Sequence, residues 1–250
     1  VLPQVYQKVI KLAYNERSDM RDWAQAIKVD PLTCSIILRR ARSMDPPFEQ
    51  RMNAIERAVV QLDRESLIQL VGSEEVHRNS IQFERSGFNL EAFWRHNLAV
   101  AFAAYLLTFP LEDDRRTPEQ EKRFASFRIG EIELEELRRI NLSARLELDP
   151  RCEEPYLAGL VHDIGKAAMV QIFPDFYQQV HDEQEKQEWR CGMAAAERTL
   201  SEGMDHTAAG AILAKAWGFD PELIRVIENH HAPEENDAFA WLIAFADLIG

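Results

Sequence analysis

Cysteine, glycine and positive charge are all scarce in this 250-residue chain, and each shortage closes a class of answers. The three cysteines, Cys34, Cys152 and Cys191, stand far apart and form no CxxC pair. Scattered, odd-numbered thiols fit reduced residues in a cytoplasmic protein better than a disulfide framework. Only 10 glycines are present, which disfavours a chain of hairpins and tight phosphate loops. Lys and Arg number 29 against 42 Asp and Glu, a formal charge of −13. A general binder of nucleic acid or of an anionic membrane needs a positive field to release counterions, so neither direct nucleic-acid binding nor membrane binding is expected. A local basic pocket stays compatible with that balance. The longest apolar stretch, Leu98 to Phe109, spans 12 residues with Thr108 its one polar position and suits a buried helix rather than a bilayer crossing. The opening residues, VLPQVYQKVI, lack the charged start, apolar core and cleavage site of a secretion signal. The chain does not begin with Met and stops within an apolar helical pattern, so a fragment with missing neighbours is expected.

What is present is an ordinary globular mixture, 46% apolar and 28% charged, long enough for one large domain or two small ones. Apolar residues recur at helical spacing almost throughout, with no alternating strand, and an all-α fold is expected. The pattern predicts a helix over Leu2–Tyr14, with Val5, Val9, Ile10 and Leu12 inward. A second begins near Ser18 or Asp19 and carries Met20, Trp23, Ala26 and Ile27. A third follows the Asp30 cap and Pro31 and runs to about Ser43. After the Asp45-Pro46-Pro47 break come helices around Met52–Leu62 and Glu65–Val71, then a long one from Leu90 to Phe109. Further helices are expected at Pro155–Phe173, Cys191–Ser201, Thr207–Trp217 and Pro221–Asn229, with a last one from Phe239. Residues 111–150 differ in texture, with 11 acidic and 8 basic residues and an amphipathic stretch at Ile132–Ile140, and read as an insertion or surface excursion. Dimerisation or partner docking through that segment is the competing reading.

Of seven histidines, five lie in short segments whose neighbours suggest metal ligation. These are Trp94-Arg95-His96, His162-Asp163-Ile164-Gly165-Lys166, Asp205-His206 and His230-His231, and Asp247 in the final helix completes the set. Neutral imidazoles and carboxylates suit divalent transition metals. Adjacent residues on a helix project about 100° apart, so His162 and Asp163 can share one site only if it lies on that helix's flank. Asp163 has two oxygens and could bridge two ions. Lys166 follows Asp163 by one turn on the same face, placed to neutralise a phosphate or position an attacking water. Each residue also has a plain reading: a lone helical histidine is usually structural, and Lys166 without metal is simply solvated. His77 and His181 belong to no cluster and are assigned to the surface. Arg39, Arg40 and Arg42 are a basic cluster that could attract an anionic ligand, with a solvated helix face as the default. Phe93, Trp94 and Tyr105 are expected in the core.

These residues, in this order, resemble the H…HD…D pattern of the HD superfamily of metal-dependent phosphohydrolases, and the surrounding segments are similar to its HDOD branch. FWRHNLAVAFAAYL, YLAGLVHDIGKAAMV, AERTLSEGMDHTAAGAILAKAWGFDPELIRVIENHH and FADLIG carry the resemblance, as do LPQVYQKVIKLA and DPLTCSIILRRARS nearer the start. The resemblance implies an α-helical bacterial signalling module of two packed lobes, about 1–88 and 89–250, with 111–150 inserted. It implies His96, His162, Asp163 and Asp247 at one divalent ion and His206, His230 and His231, sharing Asp163, at a second, iron or manganese or similar. The expected partners are other signalling domains or proteins, a small phosphorylated or nucleotide ligand, and a second copy of the chain in a homodimer.

Three departures bear on activity. HHAPEEND follows the paired histidines in place of the HHE…DG.GYP run of cyclic-di-GMP phosphodiesterases. Arg42 stands where the family usually has Asn-Ser, and Asp63 where a glycine commonly follows a helix. Three functions therefore stand: a regulatory module of response-regulator type, an active two-metal phosphohydrolase using Asp163 and Lys166, and a metal-free interaction scaffold.

Overall fold

Short capping signals set several of the helix starts in the computed structural model, which describes residues 3–15, 17–43, 54–71, 88–108 and 153–250. Every regular element among them is an α-helix. Helix α1 (Pro3–Tyr14) precedes α2 (Met20–Ile27), where Asp19 accepts from the backbone N–H of Arg21 and Asp22 and the Asp22 side chain reciprocates at Asp19 N–H. This reciprocal cap satisfies donors that a helix start leaves open. Helix α3 (Pro31–Arg42) begins as its sequence predicts: Asp30 accepts from Thr33 N–H at 2.7 Å, and Pro31 occupies the first turn. Helix α4 (Ala54–Val71) joins two expected helices across a break at Asp63, where φ is 57° and ψ is 170°. That conformation favours glycine, which explains why the resemblance predicts one there. Asp63 is held by accepting from Ser66 N–H at 2.9 Å, so it caps the second half.

Helices α5 (Leu90–Thr108), α6 (Glu153–Val161), α7 (Ile164–Ile172), α8 (Phe176–Lys186), α9 (Met193–Leu200), α10 (His206–Ala216), α11 (Pro221–Asn229) and α12 (Ala238–Ile249) follow. Two differ from the sequence pattern. The helix expected over Pro155–Phe173 is two, α6 and α7, broken at His162-Asp163, because apolar residues continue through the turn and hide it. Helix α8 was not anticipated; only Phe176, Tyr177 and Val180 of it are buried, too few to register as periodicity. The insertion expected at 111–150, its helix at Ile132–Ile140, and Cys152 lie outside the described residues. So do His77 and the side chains of Val5 and Ile10.

Packing joins α2, α3 and α4 on one side, and α5 against α6 and α12 on the other, with α7 crossing α10. The core includes Trp23, Ile27, Ile37, Leu62, Leu98, Tyr156, Leu160 and Ile227, all buried, together with the expected Phe93 and Trp94, while Tyr105 packs only partly buried against it. Lys28, at the end of α2, is buried between Glu56 and Glu153, each 3.1 Å away, and Tyr156 Oη donates to its carbonyl at 2.9 Å. A charge buried this way requires its partners, since desolvation alone would expel it. Of the arginines of α3, Arg40 is exposed, but Arg39 and Arg42 do not belong to a solvated face. Arg42 donates to Gly218 O and to Asp220 Oδ2 and lies 5.3 Å from the Phe219 ring, while Arg39 lies 5.2 Å from the Trp217 ring. They clasp the turn between α10 and α11. Among the described residues no helix is long and apolar enough to cross a membrane.

Candidate metal centre

Five places in the chain deliver the site. His96 lies on α5, His162 and Asp163 occupy the turn between α6 and α7, and His206 opens α10. His230 and His231 follow α11, and Asp247 lies on α12. Because His162 and Asp163 leave the helix, the flank constraint expected of a helical pair does not apply, and both side chains turn inward. Close backbone approach completes the placement. A Cβ on Gly165 would lie 1.8 Å from the carbonyl oxygen of His206, so only glycine lets α7 meet α10 this tightly and sets Asp163 beside His206.

The seven expected residues meet in three overlapping groups: His96, His162 and Asp247; His162, Asp163 and His230; and His206, His230 and His231. Within each group the candidate ligand atoms lie within 4.8 Å of one another. Asp163 is central. Its Oδ2 is 3.5 Å from His96 Nε2 and 3.6 Å from His162 Nε2; its Oδ1 is 3.2 Å from His206 Nε2 and 3.6 Å from His230 Nε2. The two oxygens therefore face two different sets of imidazoles. Asp247 Oδ1 lies 2.9 Å from His96 Nε2 and 3.5 Å from His162 Nε2, and its Oδ2 lies 3.6 Å from His231 Nδ1.

Three imidazoles are fixed from behind. His162 Nδ1 meets Gly159 O at 2.7 Å and His230 Nδ1 meets Ile227 O at 3.0 Å. A carbonyl can only accept, so both Nδ1 atoms carry the proton and both Nε2 atoms present a lone pair to the site. His206 Nδ1 is 2.6 Å from Glu197 Oε2, and the same oxygen accepts its backbone N–H at 2.9 Å. Glu197 is the residue that sequence reasoning missed. It lies within the AERTLSEGMDH segment, nine positions before His206, and its identity as a fully buried carboxylate is the signal that only packing supplies.

The electrostatics suit a cation. His162 Nε2, His230 Nε2 and Asp163 Oδ1 are buried without a hydrogen-bond partner among the described residues. Lone pairs aimed at one another in low dielectric repel, and a bound cation removes that cost. Burial opposes ionisation of Asp163, but Lys166, His162 and His206 more than offset it and hold its carboxyl well below the usual carboxylate range. Burial likewise opposes the charge on Asp247, and the adjoining imidazoles of His162 and His96 outweigh it, again lowering the carboxyl. His230 is pushed down, chiefly by burial, and His231 falls to about 4 through burial and the adjoining His230 and His206. Lys166 is not solvated: its ammonium pairs with Asp163 Oδ2. His181 stays outside the cluster, exposed against the Trp189 ring.

The sequence matches the HDOD domain family over residues 1–122 and 139–233. The chain belongs to that family. The match omits 123–138, inside the segment expected to be inserted. No match was found among curated proteins. Two solved structures share the HDOD chain's fold. MmoQ response regulator from Methylococcus capsulatus str. Bath is 19% identical, with a TM-score of 0.64, over 99% of this chain and 83% of that one. A virulence factor from Campylobacter jejuni is 20% identical, with a TM-score of 0.62, over 98% of this chain and 75% of that one.

Proposed function

We propose that this HDOD domain is a regulatory output module whose histidine–aspartate site holds divalent metal, two ions of the iron or manganese kind sharing Asp163, and presents them to a phosphorylated or nucleotide ligand. The observation that carries this reading is the set of fixed imidazoles whose Nε2 atoms face the two oxygens of one ionised carboxylate. His96, His162 and Asp247 would hold one ion and His206, His230 and His231 the other. The setting is a cytoplasmic signalling protein with further domains; support comes from the shared fold with a protein described as a response regulator. The acidic surface leaves nucleic acid to partners.

The test is metal content. Protein purified without chelator is expected to hold bound metal that Asp163→Asn removes; less than about a tenth of an ion per chain would favour a metal-free scaffold.

The split of Asp163 between two imidazole sets also favours a second reading, a phosphohydrolase. Bound divalent ions would supply water activation and charge neutralisation at phosphorus. Of the chain's own groups, Asp163 would hold both halves in register, and Lys166 would keep it ionised and add positive charge beside the ligand. A panel of cyclic dinucleotides, nucleotides and simple phosphodiesters with Mn²⁺ decides: no turnover sensitive to Asp163→Asn retires the enzyme and leaves the regulatory module.

A further inference from the structure

The three imidazoles fixed from behind are not supported alike. His162 and His230 each donate Nδ1–H to a neutral backbone carbonyl, Gly159 O and Ile227 O. His206 instead donates to a carboxylate, and that carboxylate belongs to a buried chain of its own. Glu197 has no solvent exposure, and its Oε2 accepts both N–H groups of His206. Its Oε1 accepts from Tyr177 Oη at 2.8 Å. Tyr177 is itself buried and packs its ring 5.0 Å from Phe88 and 5.6 Å from Phe176. A carboxylate committed on both oxygens and shielded from water cannot rotate away from the imidazole it faces. It also makes that imidazole a stronger electron-pair donor than a carbonyl would.

We infer that Glu197, anchored by Tyr177, is a positioning residue that makes the His206 half of the centre the tighter of its two cation sites. The inference rests on the metal-binding reading and deepens it. Helix α9 has no other role at the site: it brings Glu197 behind His206, and Tyr177 from α8 locks it. The helix that the sequence pattern missed thus takes part in setting cation affinity.

Mn²⁺ titration of wild type, Glu197→Gln, Tyr177→Phe and His96→Ala tests this, followed by calorimetry and by electron paramagnetic resonance of free Mn²⁺. Gln keeps the shape and can still accept from His206 while removing the charge. Glu197→Gln is expected to weaken the first-filling ion by about 10- to 100-fold and leave the weaker one unchanged. His96→Ala is expected to do the reverse, and Tyr177→Phe to weaken the first ion severalfold. In metal-free protein, the His206 Nδ1–H proton resonance is expected downfield in wild type and displaced upfield in Glu197→Gln, a change that mere loosening of the fold would not produce. If wild type takes up no Mn²⁺, the metal reading fails and the inference with it. If wild type takes up Mn²⁺ and Glu197→Gln binds it equally tightly with an unmoved His206 resonance, the inference alone fails. Should Glu197→Gln not fold by circular dichroism, unchanged Mn²⁺ affinity in Tyr177→Phe overturns it instead.

Discussion

His231 stands at the rim of the centre as an imidazole held far from its ordinary titration. Its pKa falls from 6.5 to about 4, through burial first and then the neighbouring His230 and His206. The folded state therefore binds its proton less readily than the unfolded chain does. Between about pH 4 and 6.5 the unfolded chain carries more protons, so stability rises with pH across that window and is fully present above it. The lowered carboxyls of Asp163 and Asp247 act in the same direction at the acid end, since both must be ionised to keep their partners. The urea midpoint of metal-free protein is expected to climb from pH 4 to 6.5, with a shallower climb in His231→Gln. A flat profile in wild type would contradict the burial described for this residue. The same argument makes His231 a neutral imidazole throughout the ordinary pH range, and if the cluster takes up metal, that uptake should fall only in acid.

At the scale of the element, the clasp between α3 and the α10–α11 turn sets the relation between the first helices and those that carry His206, His230 and His231. Arg42 offers a planar fork to Gly218 O and Asp220 while its face lies over Phe219, a geometry that lysine cannot reproduce. Arg42→Ala is expected to cost ~1–3 kcal/mol, read as a lower urea midpoint, and Arg42→Lys to recover little of it. Full recovery by lysine would reduce the clasp to a point charge. Elements also show where sequence reading succeeds. Asp30 caps its helix as the sequence predicts, and Asp19 caps another at one of its two expected starts, because capping is local and needs nothing from the fold. Asp220 looks the same in sequence, ahead of Pro221, yet its carboxylate goes to Arg42 instead, a contact 178 positions away. The turn at His162-Asp163 hid within continuous apolar spacing, and α8 hid for want of it. Arg39 and Arg42 read as a solvated face because nothing in their neighbourhood announces Trp217 and Phe219.

Across the whole molecule, the all-α class followed from spacing alone, whereas the meeting of five distant segments did not. Composition and periodicity could nominate His96 or Asp247 only as ordinary helical residues; the family resemblance joined them, and the packing of α12 against α5 is the physical means of joining. Glu197 and Tyr177 stayed invisible because a supporting carboxylate has no spacing rule. A ligand that binds only the folded chain stabilises all of it, so Mn²⁺ at about 100 times its dissociation constant should raise the melting temperature by roughly 5–10 °C. Excess chelator should reverse the rise, and Asp163→Asn should abolish it. An unchanged melting temperature in wild type would show that the cluster does not engage this metal.

Asp247 belongs to the last helix described, whereas its partner His96 emerges from the ribosome 151 residues earlier. No nascent portion of the polypeptide can therefore complete the cluster of His96, His162 and Asp247 before α12 is made. Any product cut short ahead of Ala238 would leave His96 and His162 facing a gap where an acid should be.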